Sequence, residues 1–366
     1  MSRFLPWPSN TLALYQAKTF ALRILAFAFV LIGLLQVLDL LSESEKILAV
    51  SGNGNAELWQ YVKLRVPQLA DTFLPFSVLL GAIVTWASFS SSSEIVIMKG
   101  TGMSPHKILW PMMATALVVA LIHFAFAETV LPETNARLDA WQGVDYGEIP
   151  EDAETARFGE WETAGGDLLR AGRVSGKGAD VELFDVEVYR RRDTSLMSVF
   201  LGASAVPENG GWRLRDAQQF DIARGTSLDV GDVIVARGLE PARFTAVTPD
   251  PDEVNSRELR AAIARMEASG RPTDSLRTAL YQKYCAPLSA ILMPLLGAVA
   301  GFGLARSGQM FVRAVIAMVL GFTYFVADNA MLAMGEFGAA PPILAAWGPF
   351  LLFLLVGEAL IFRTEE

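Results

Sequence analysis

One cysteine and two histidines in 366 residues leave little room for several kinds of chemistry. A lone thiol, Cys285, cannot close an intramolecular disulfide, and inside an apolar run it reads as a small helix-packing residue. His106 and His123 lack the spacing of a metal site with other ligands, so no metal is expected and both are assigned structural roles. No G-x-x-x-x-G-K-S/T loop is present to cradle a nucleotide phosphate, and no nucleophile elbow or zincin motif occurs. No catalytic residue and no cofactor are therefore expected. Basic residues are also short: Lys and Arg number 30 against 39 Asp and Glu, and the net charge of −9 argues against nucleic acid as a partner.

What the chain has in excess is apolar surface. Apolar residues make up 52% of it, and they fall in two blocks, before about residue 130 and after about residue 284, with most of the charge between. Crossing a hydrocarbon core takes roughly 20 mostly apolar residues. Six stretches qualify: Phe20–Leu41, Thr72–Phe89, Ile108–Val130, Tyr284–Ala305, Met310–Met334 and Pro341–Phe362. The first lies behind Lys18 and Arg23 but is long for a signal-peptide core, and Leu41-Ser42-Glu43-Ser44-Glu45 is no small-residue cleavage site. The expected class is an α-helical membrane protein with six transmembrane helices and an inserted β-rich domain.

Orientation follows from Lys and Arg in short loops. The side bearing both termini holds Arg3, Lys18, Arg23, Lys99, Lys107, Arg306, Arg313 and Arg363. The opposite side mixes Lys46, Lys63 and Arg65 with Glu43, Glu45, Glu57 and Glu336. Termini in the cytoplasm and the inserted domain outside are the expectation. The domain plan places three spans in 1–135, with a helix at about 92–103 between the second and third, the β domain in 136–255, an amphipathic linker in 256–283 and three spans in 284–366.

In the insert, Leu168–Val174 and Asp180–Tyr189 alternate apolar and polar residues as half-buried strands do, with a phase slip at Phe184-Asp185 that suggests a bulge. Asn209-Gly210-Gly211 before Trp212 is a hairpin signal, and about a hundred residues of this kind suggest a sandwich or jelly roll. Ser256 is expected to cap a helix whose stripe is Leu259, Ile263 and Met266, broken at Gly270-Arg271-Pro272.

Between the second and third spans lies Ser93-Glu94-Ile95-Val96-Ile97-Met98-Lys99-Gly100-Thr101-Gly102-Met103-Ser104. The serines can cap a short helix, Glu94 suits its positive end, Ile95, Ile97 and Met98 offer an apolar surface, and Gly100 and Gly102 end it. Such a helix either lies at the membrane interface or docks in a groove of a soluble partner.

This loop resembles the S-E-L-V-V-M-x-x-x-G-x-S/T coupling element of the LptF/LptG lipopolysaccharide export permease family. The resemblance extends to Leu14-Tyr15-Gln16-Ala17-Lys18-Thr19-Phe20, Leu74-Pro75-Phe76, Leu131-Pro132 with Asn135, Trp212-Arg213-Leu214 and Pro287-Leu288-Ser289. The ending, Gly321-Phe322-Thr323-Tyr324-Phe325 through Pro341-Pro342 and Ala345-Ala346-Trp347 with Pro349, is more similar to the LptG branch. It implies an LptF-like permease partner, an LptB-like ATPase dimer docked on the coupling helix, an LptC-like partner, and a periplasmic jelly roll that takes lipid from the inner membrane. Glu94 is then the coupling acid, with Ile95 to Gly102 as the docking surface. Lifting one acyl chain of roughly 12 carbons out of a bilayer costs on the order of 10 kcal/mol, at about 0.8 per methylene, so an external energy source is needed.

Family members place basic residues near the outer mouth of spans one and two to meet lipid phosphates. Here that region offers Gln36, Asp39 and Gln68, with Lys46, Lys63 and Arg65 farther along and Arg137 after the third span. This departure admits a glycolipid with fewer phosphates as cargo. Asp328 and Asn329 in the fifth span would line the cavity or bond to the first span, unless Asp328 is hydrated at the outer surface. Two other readings compete with export. An ion-coupled secondary transporter would carry inverted repeats and paired midplane charges, neither of which is evident, and a membrane-anchored scaffold would tolerate substitutions facing the cavity.

Overall fold

The computed structural model describes residues 9–148, 157–164, 166–175, 181–192, 195–222, 224–241, 244, 250–268 and 270–302, together with 310–363. Arg3, Asp180, Arg306 and the end of the expected fourth span at 303–305 lie outside the described residues. Two compact units emerge: Met1–Ser42, Trp59–Asn135 and Pro249–Glu366 form one, and Glu43–Leu58 with Ala136–Thr248 the other.

Among the described residues, six helices are long and apolar enough to cross a membrane. They are α1 (Asn10–Ala49), α2 (Asn55–Ser91), α4 (Pro105–Thr129), α7 (Asp274–Gly297), α8 (Met310–Glu336) and α9 (Pro342–Arg363). The short α3 (Glu94–Gly100) joins α2 to α4, α5 (Leu131–Gly143) follows α4, and α6 (Ser256–Ala268) precedes α7. With 40 and 37 residues, α1 and α2 measure about 60 and 55 Å, nearly twice the hydrocarbon thickness. Their apolar runs mark only the membrane-sized part. Beyond it the chain stays helical because Glu43, Glu45 and Lys46, like Glu57 and Lys63, are good helix formers, so hydropathy stops where the helix does not.

Within the first unit, Val78, Ala82 and Trp86 of α2, Met112 and Ala116 of α4, and Leu292 and Leu296 of α7 share one core. Close approach rests on small residues: a Cβ added at Gly297 would meet Ala82, at Gly357 Leu295, and at Gly335 both Thr278 and Ala345. Helix α6 packs Leu259, Ile263 and Met266 against Leu276. Its cap is Asn255, which corrects the expectation of Ser256. Asn255 Oδ1 accepts from the N–H groups of Arg257 and Glu258, and Glu258 Oε2 accepts in return from the Asn255 N–H. Ser256 instead donates its N–H and hydroxyl to Glu128 at the end of α4. At the far end of α6, hydrogen bonding from Arg277 holds the Glu267 carboxyl below the usual carboxylate range.

The second unit carries one six-stranded antiparallel sheet in sequential order: β1 (Arg157–Ala164), β2 (Asp167–Ser175), β3 (Glu182–Arg192), β4 (Ser195–Glu208), β5 (Gly211–Asp221) and β6 (Thr226–Val235). The inserted β domain is present as expected. Its described strands form a meander joined by hairpins, without the crossing connections that a jelly roll implies. Asn209 and Gly210 take positive φ (48° and 72°) in the β4–β5 turn, which suits these two residues. The phase slip at Phe184-Asp185 proves to be a left-handed residue, Asp185 at φ 50°, and the pairing register runs through it unchanged. Asp216 (φ 49°) and Gly231 (φ 61°) sit near the same level on β5 and β6, where the register shifts. Such irregularities bend strands, and a line of them lets one sheet curl over its own apolar face. That face holds Leu169, Leu183, Val188, Phe200, Trp212 and Leu214.

The same unit includes the hairpin of α1 and α2, which hydropathy did not assign to it. Asn53 Nδ2 donates to the carbonyls of Ile47 and Tyr146, and the Tyr146 hydroxyl donates to Glu43.

Trp212 is fully buried, donates its indole N–H to the Leu239 carbonyl and meets Phe244 edge-on. Trp212→Ala is expected to cost the β unit about 3–5 kcal/mol. Limited proteolysis of the full-length protein should then cut within 157–241 at protease levels that leave the unsubstituted protein intact, and unchanged resistance would contradict this packing.

Candidate functional site

The chain runs from α2 into α3 through serines, but none of them caps by its side chain in the usual way. Ser93 lies in the left-handed region (φ 60°) without a side-chain cap, and Ser92 instead donates its hydroxyl to Glu94 Oε1 at 2.7 Å. The other end of α3 closes as expected. Gly102, at φ 83°, allows its own N–H to reach the Lys99 carbonyl and the Met103 N–H to reach that of Met98, while Gly100 is the last helical residue.

A seven-residue helix is too short to hold itself together, so its fixed position must come from packing. Ile95 and Met98 supply it. Both are buried, at 4% and 5% exposure, in the core formed by α2, α4 and α7. This corrects their assignment to an outward docking surface: of the apolar residues of α3, Val96 (57%) and Ile97 (64%) face outward. The helix is clamped from two sides. From α1, Gln16 donates to the Met98 sulfur at 3.4 Å and the Tyr15 hydroxyl to Glu94 at 3.4 Å. From the end of α7, Gly301 lies so close to Ile95 and Trp86 that a Cβ there would collide, and Lys99 Nζ sits 5.4 Å over the Phe302 ring. Tyr15, Gln16 and Phe302 were not identified from the sequence as parts of this site. Gln16 carries a legible signal, being a polar residue on the buried face of an apolar helix.

The lipid-cavity candidates divide into separate groups. Asp39, Arg65 and Gln68 come together: Arg65 Nε and Nη2 each lie 3.1 Å from an Asp39 carboxylate oxygen, and Nη1 donates to Gln68 Oε1 at 2.6 Å. Tyr61, which the sequence reading does not include, donates its hydroxyl to Asp39 at 2.5 Å. Tyr61, Arg65 and Gln68 fall on one face of α2 at i, i+4 and i+7, a spacing that marks them as a set. Gln36, one turn before Asp39, is buried with neither side-chain polar atom partnered among the described residues. Lys46 is paired with Glu43 at 2.9 Å, and Lys46, Lys63 and Arg137 are all exposed.

Asp328 and Asn329 part company. Asp328 is buried and accepts from Gln282 of α7 at 3.1 Å, so it binds the fourth span rather than the first and is not hydrated at the surface. Asn329 is exposed and bonds back to the Phe325 carbonyl of its own helix. The histidines, expected only to be structural, each face an acid: His123 meets Asp71 at 2.8 Å and His106 meets Glu358 at 3.0 Å. The acids lie far away in sequence, which hides both pairs from a local reading.

Two outcomes are expected from this geometry. In a Cys285→Ala background, Ile97→Cys should react readily with a soluble maleimide and Met98→Cys only after denaturation; equal labelling would contradict the packing of α3. Asp328→Ala should leave the Gln282 amide unpaired and cost about 1–3 kcal/mol, read as a lower thermal midpoint in detergent, with Asp328→Asn retaining part of the loss.

Comparison with known proteins finds relatives along nearly the whole chain. Residues 14–363 match the family model described as Lipopolysaccharide export system permease LptF/LptG. The chain is similar to the lipopolysaccharide export system permease protein LptG of Escherichia coli (strain K12), with 26% identity over 369 residues, covering 98% of this chain and 99% of the relative. It is likewise similar to LptG of Haemophilus influenzae, with 25% identity over 373 residues and the same coverage of each chain. A six-span helical membrane protein with an inserted antiparallel β domain, it belongs to the LptF/LptG lipopolysaccharide export permease family and is most like LptG.

Proposed function

We propose that the chain is the permease subunit of an ATP-driven transporter that extracts lipopolysaccharide, or a related glycolipid, from the inner membrane and passes it to the periplasmic side. In this reading the chain itself hydrolyses nothing. An LptB-like ATPase dimer in the cytoplasm supplies the energy, an LptF-like permease completes the transmembrane unit, and an LptC-like protein receives lipid beyond the β domain. The termini and α3 face the cytoplasm, and the β domain faces the periplasm.

The observation that carries the proposal is the clamped helix α3. An outward pair, Val96 and Ile97, beside the acid Glu94 fits the pattern of a short helix docked in a partner's groove. Its inward pair, Ile95 and Met98, is keyed into the bundle, and Gln16 reaches it from span one. A push on the outer face therefore passes into both α1 and the end of α7. Span one, with only 11% of its most apolar window buried, is the least packed of the six and so the easiest to displace as a gate.

Two cations of the outer half are matched within the chain, which admits a cargo with few phosphates. Arg65 spends its guanidinium on Asp39 and Gln68, and Lys46 is matched by Glu43, so these cations meet acids of the chain rather than anions of a ligand. Gln36 offers an unmatched amide, which suits a sugar hydroxyl as well as a phosphate. Lipid released from the purified complex and identified by mass spectrometry decides the head group.

Glu94→Lys places a cation where the docking groove should accept an acid. Reversing a charge in a desolvated interface costs about 2–5 kcal/mol, roughly 30-fold or more in affinity. The copurifying ATPase should drop accordingly and ATP-dependent lipid release should cease, while the β domain stays protease-resistant. Full retention of the ATPase by the variant would overturn the coupling role.

A further inference from the structure

A cavity of about 290 Å³ opens at the end of the bundle that carries Arg363, sharing only Phe302 with the contacts of α3. Val299 and Phe302 just past the end of α7 and Leu360 and Ile361 of α9 give it apolar walls, and Arg313 of α8 and Arg363 of α9 complete the lining. Phe302 and Ile361 are buried, Arg313 is half-buried and Arg363 is exposed, so the lining passes from apolar to cationic toward the helix ends.

This combination restricts the ligand. A small soluble anion gains nothing from an apolar wall, and a neutral acyl chain gains nothing from two guanidinium groups. A molecule with an anionic head and an apolar body uses both. Planar guanidinium groups bond phosphate oxygens in pairs, and basic pockets between transmembrane helices suit acidic lipid head groups. Positive potential is reinforced by Lys99, whose ammonium lies over the same Phe302 ring that lines the cavity. Glu358, the acid of α9 nearest in sequence to Arg363 among the described residues, is held by His106. The volume lies at the lower edge of the roughly 300–1,000 Å³ of small-molecule sites, enough for a head group and the first methylenes. Longer chains would continue over the exposed apolar side chains Phe311, Leu355 and Phe362.

We propose that this cavity binds a phospholipid with a net negative head group, its phosphate between Arg313 and Arg363 and its glycerol and first methylenes over Val299 and Phe302. The site requires only that the six helices lie in a membrane, so it stands or falls separately from the export reading.

The test places the full-length protein in nanodiscs of phosphatidylethanolamine with a minor fraction of phosphatidylglycerol and counts retained lipid by native mass spectrometry. Phosphatidylglycerol should be retained over phosphatidylethanolamine by about tenfold, as two basic residues near an anionic group would give after partial screening. Arg313→Gln with Arg363→Gln should remove that preference. Val299→Trp, which fills the cavity and keeps both charges, should reduce retention of either lipid. Lys18→Gln with Lys107→Gln removes the same charge from the same end of the bundle and should leave the preference intact. Should the double arginine variant fail to fold, Arg363→Gln alone, at an exposed helix end, should lower the preference measurably. An unmodified protein without preference, a lysine variant that loses as much as the arginine pair, or a Val299→Trp variant that retains lipid normally would each overturn the site.

Discussion

A hydrocarbon interior offers no water to a polar group, and that single constraint orders the transmembrane unit. Each polar side chain within the bundle is bonded back to its own helix, as Thr85 is to the Gly81 carbonyl, bonded across helices, or left at a cost. The bonds across helices are specific, among them the Trp86 indole to the Pro294 carbonyl, Gln282 to Asp328, and His123 to Asp71. Apolar side chains gain little by leaving lipid for one another, so they cannot choose neighbours as they do in water. The polar pairs can. They fix α2 against α7 and α4, and α7 against α8, and the small residues at Gly297, Gly335 and Gly357 then allow close approach.

The same constraint explains why α3, the transmission element of the proposal, is held in place at all. Seven residues make too few internal hydrogen bonds to persist alone, so the helix exists only as part of the bundle. Ile95 and Met98 contribute its stability, and Val96 and Ile97 contribute none by burial. Stability and docking thus fall on opposite faces. The outward face is free to be shaped by a partner, and the inward face cannot shift without moving Trp86, Gly301 and Gln16, which belong to three different spans or span ends.

The spans were legible because about 20 apolar residues in a row have few other uses, and the Asn209-Gly210 turn because only a small menu of residues tolerates its backbone. The lengths of α1 and α2 were not, since charged helix formers continue a helix without continuing its hydropathy. Ser256 and Asn255 stand side by side, and either could cap α6; which one does depends on Glu128, a residue brought in by the third span. The inward turn of Ile95 and Met98 escaped for a related reason. Three apolar residues in a short helix must share its circumference, and which of them faces the core is set by where Gly301 and Trp86 stand. The Asp39–Arg65 pair is not legible in the sequence, because an ion pair between helices has no fixed spacing to betray it.

The treatment of arginine at the two ends of the bundle connects these threads. On the side of Asp39, Arg65 is matched by an acid one helix away, and such a pair resists any anion that would have to displace the carboxylate first. Breaking a half-buried pair leaves an uncompensated charge, so a cargo phosphate would have to repay that loss before gaining anything. At the other end Arg313 and Arg363 line a mostly apolar cavity, the site proposed above for an anionic phospholipid. A protein that draws one amphiphile out of a leaflet at about 0.8 kcal/mol per methylene benefits from binding that amphiphile weakly where it moves and from binding other lipids firmly where it does not.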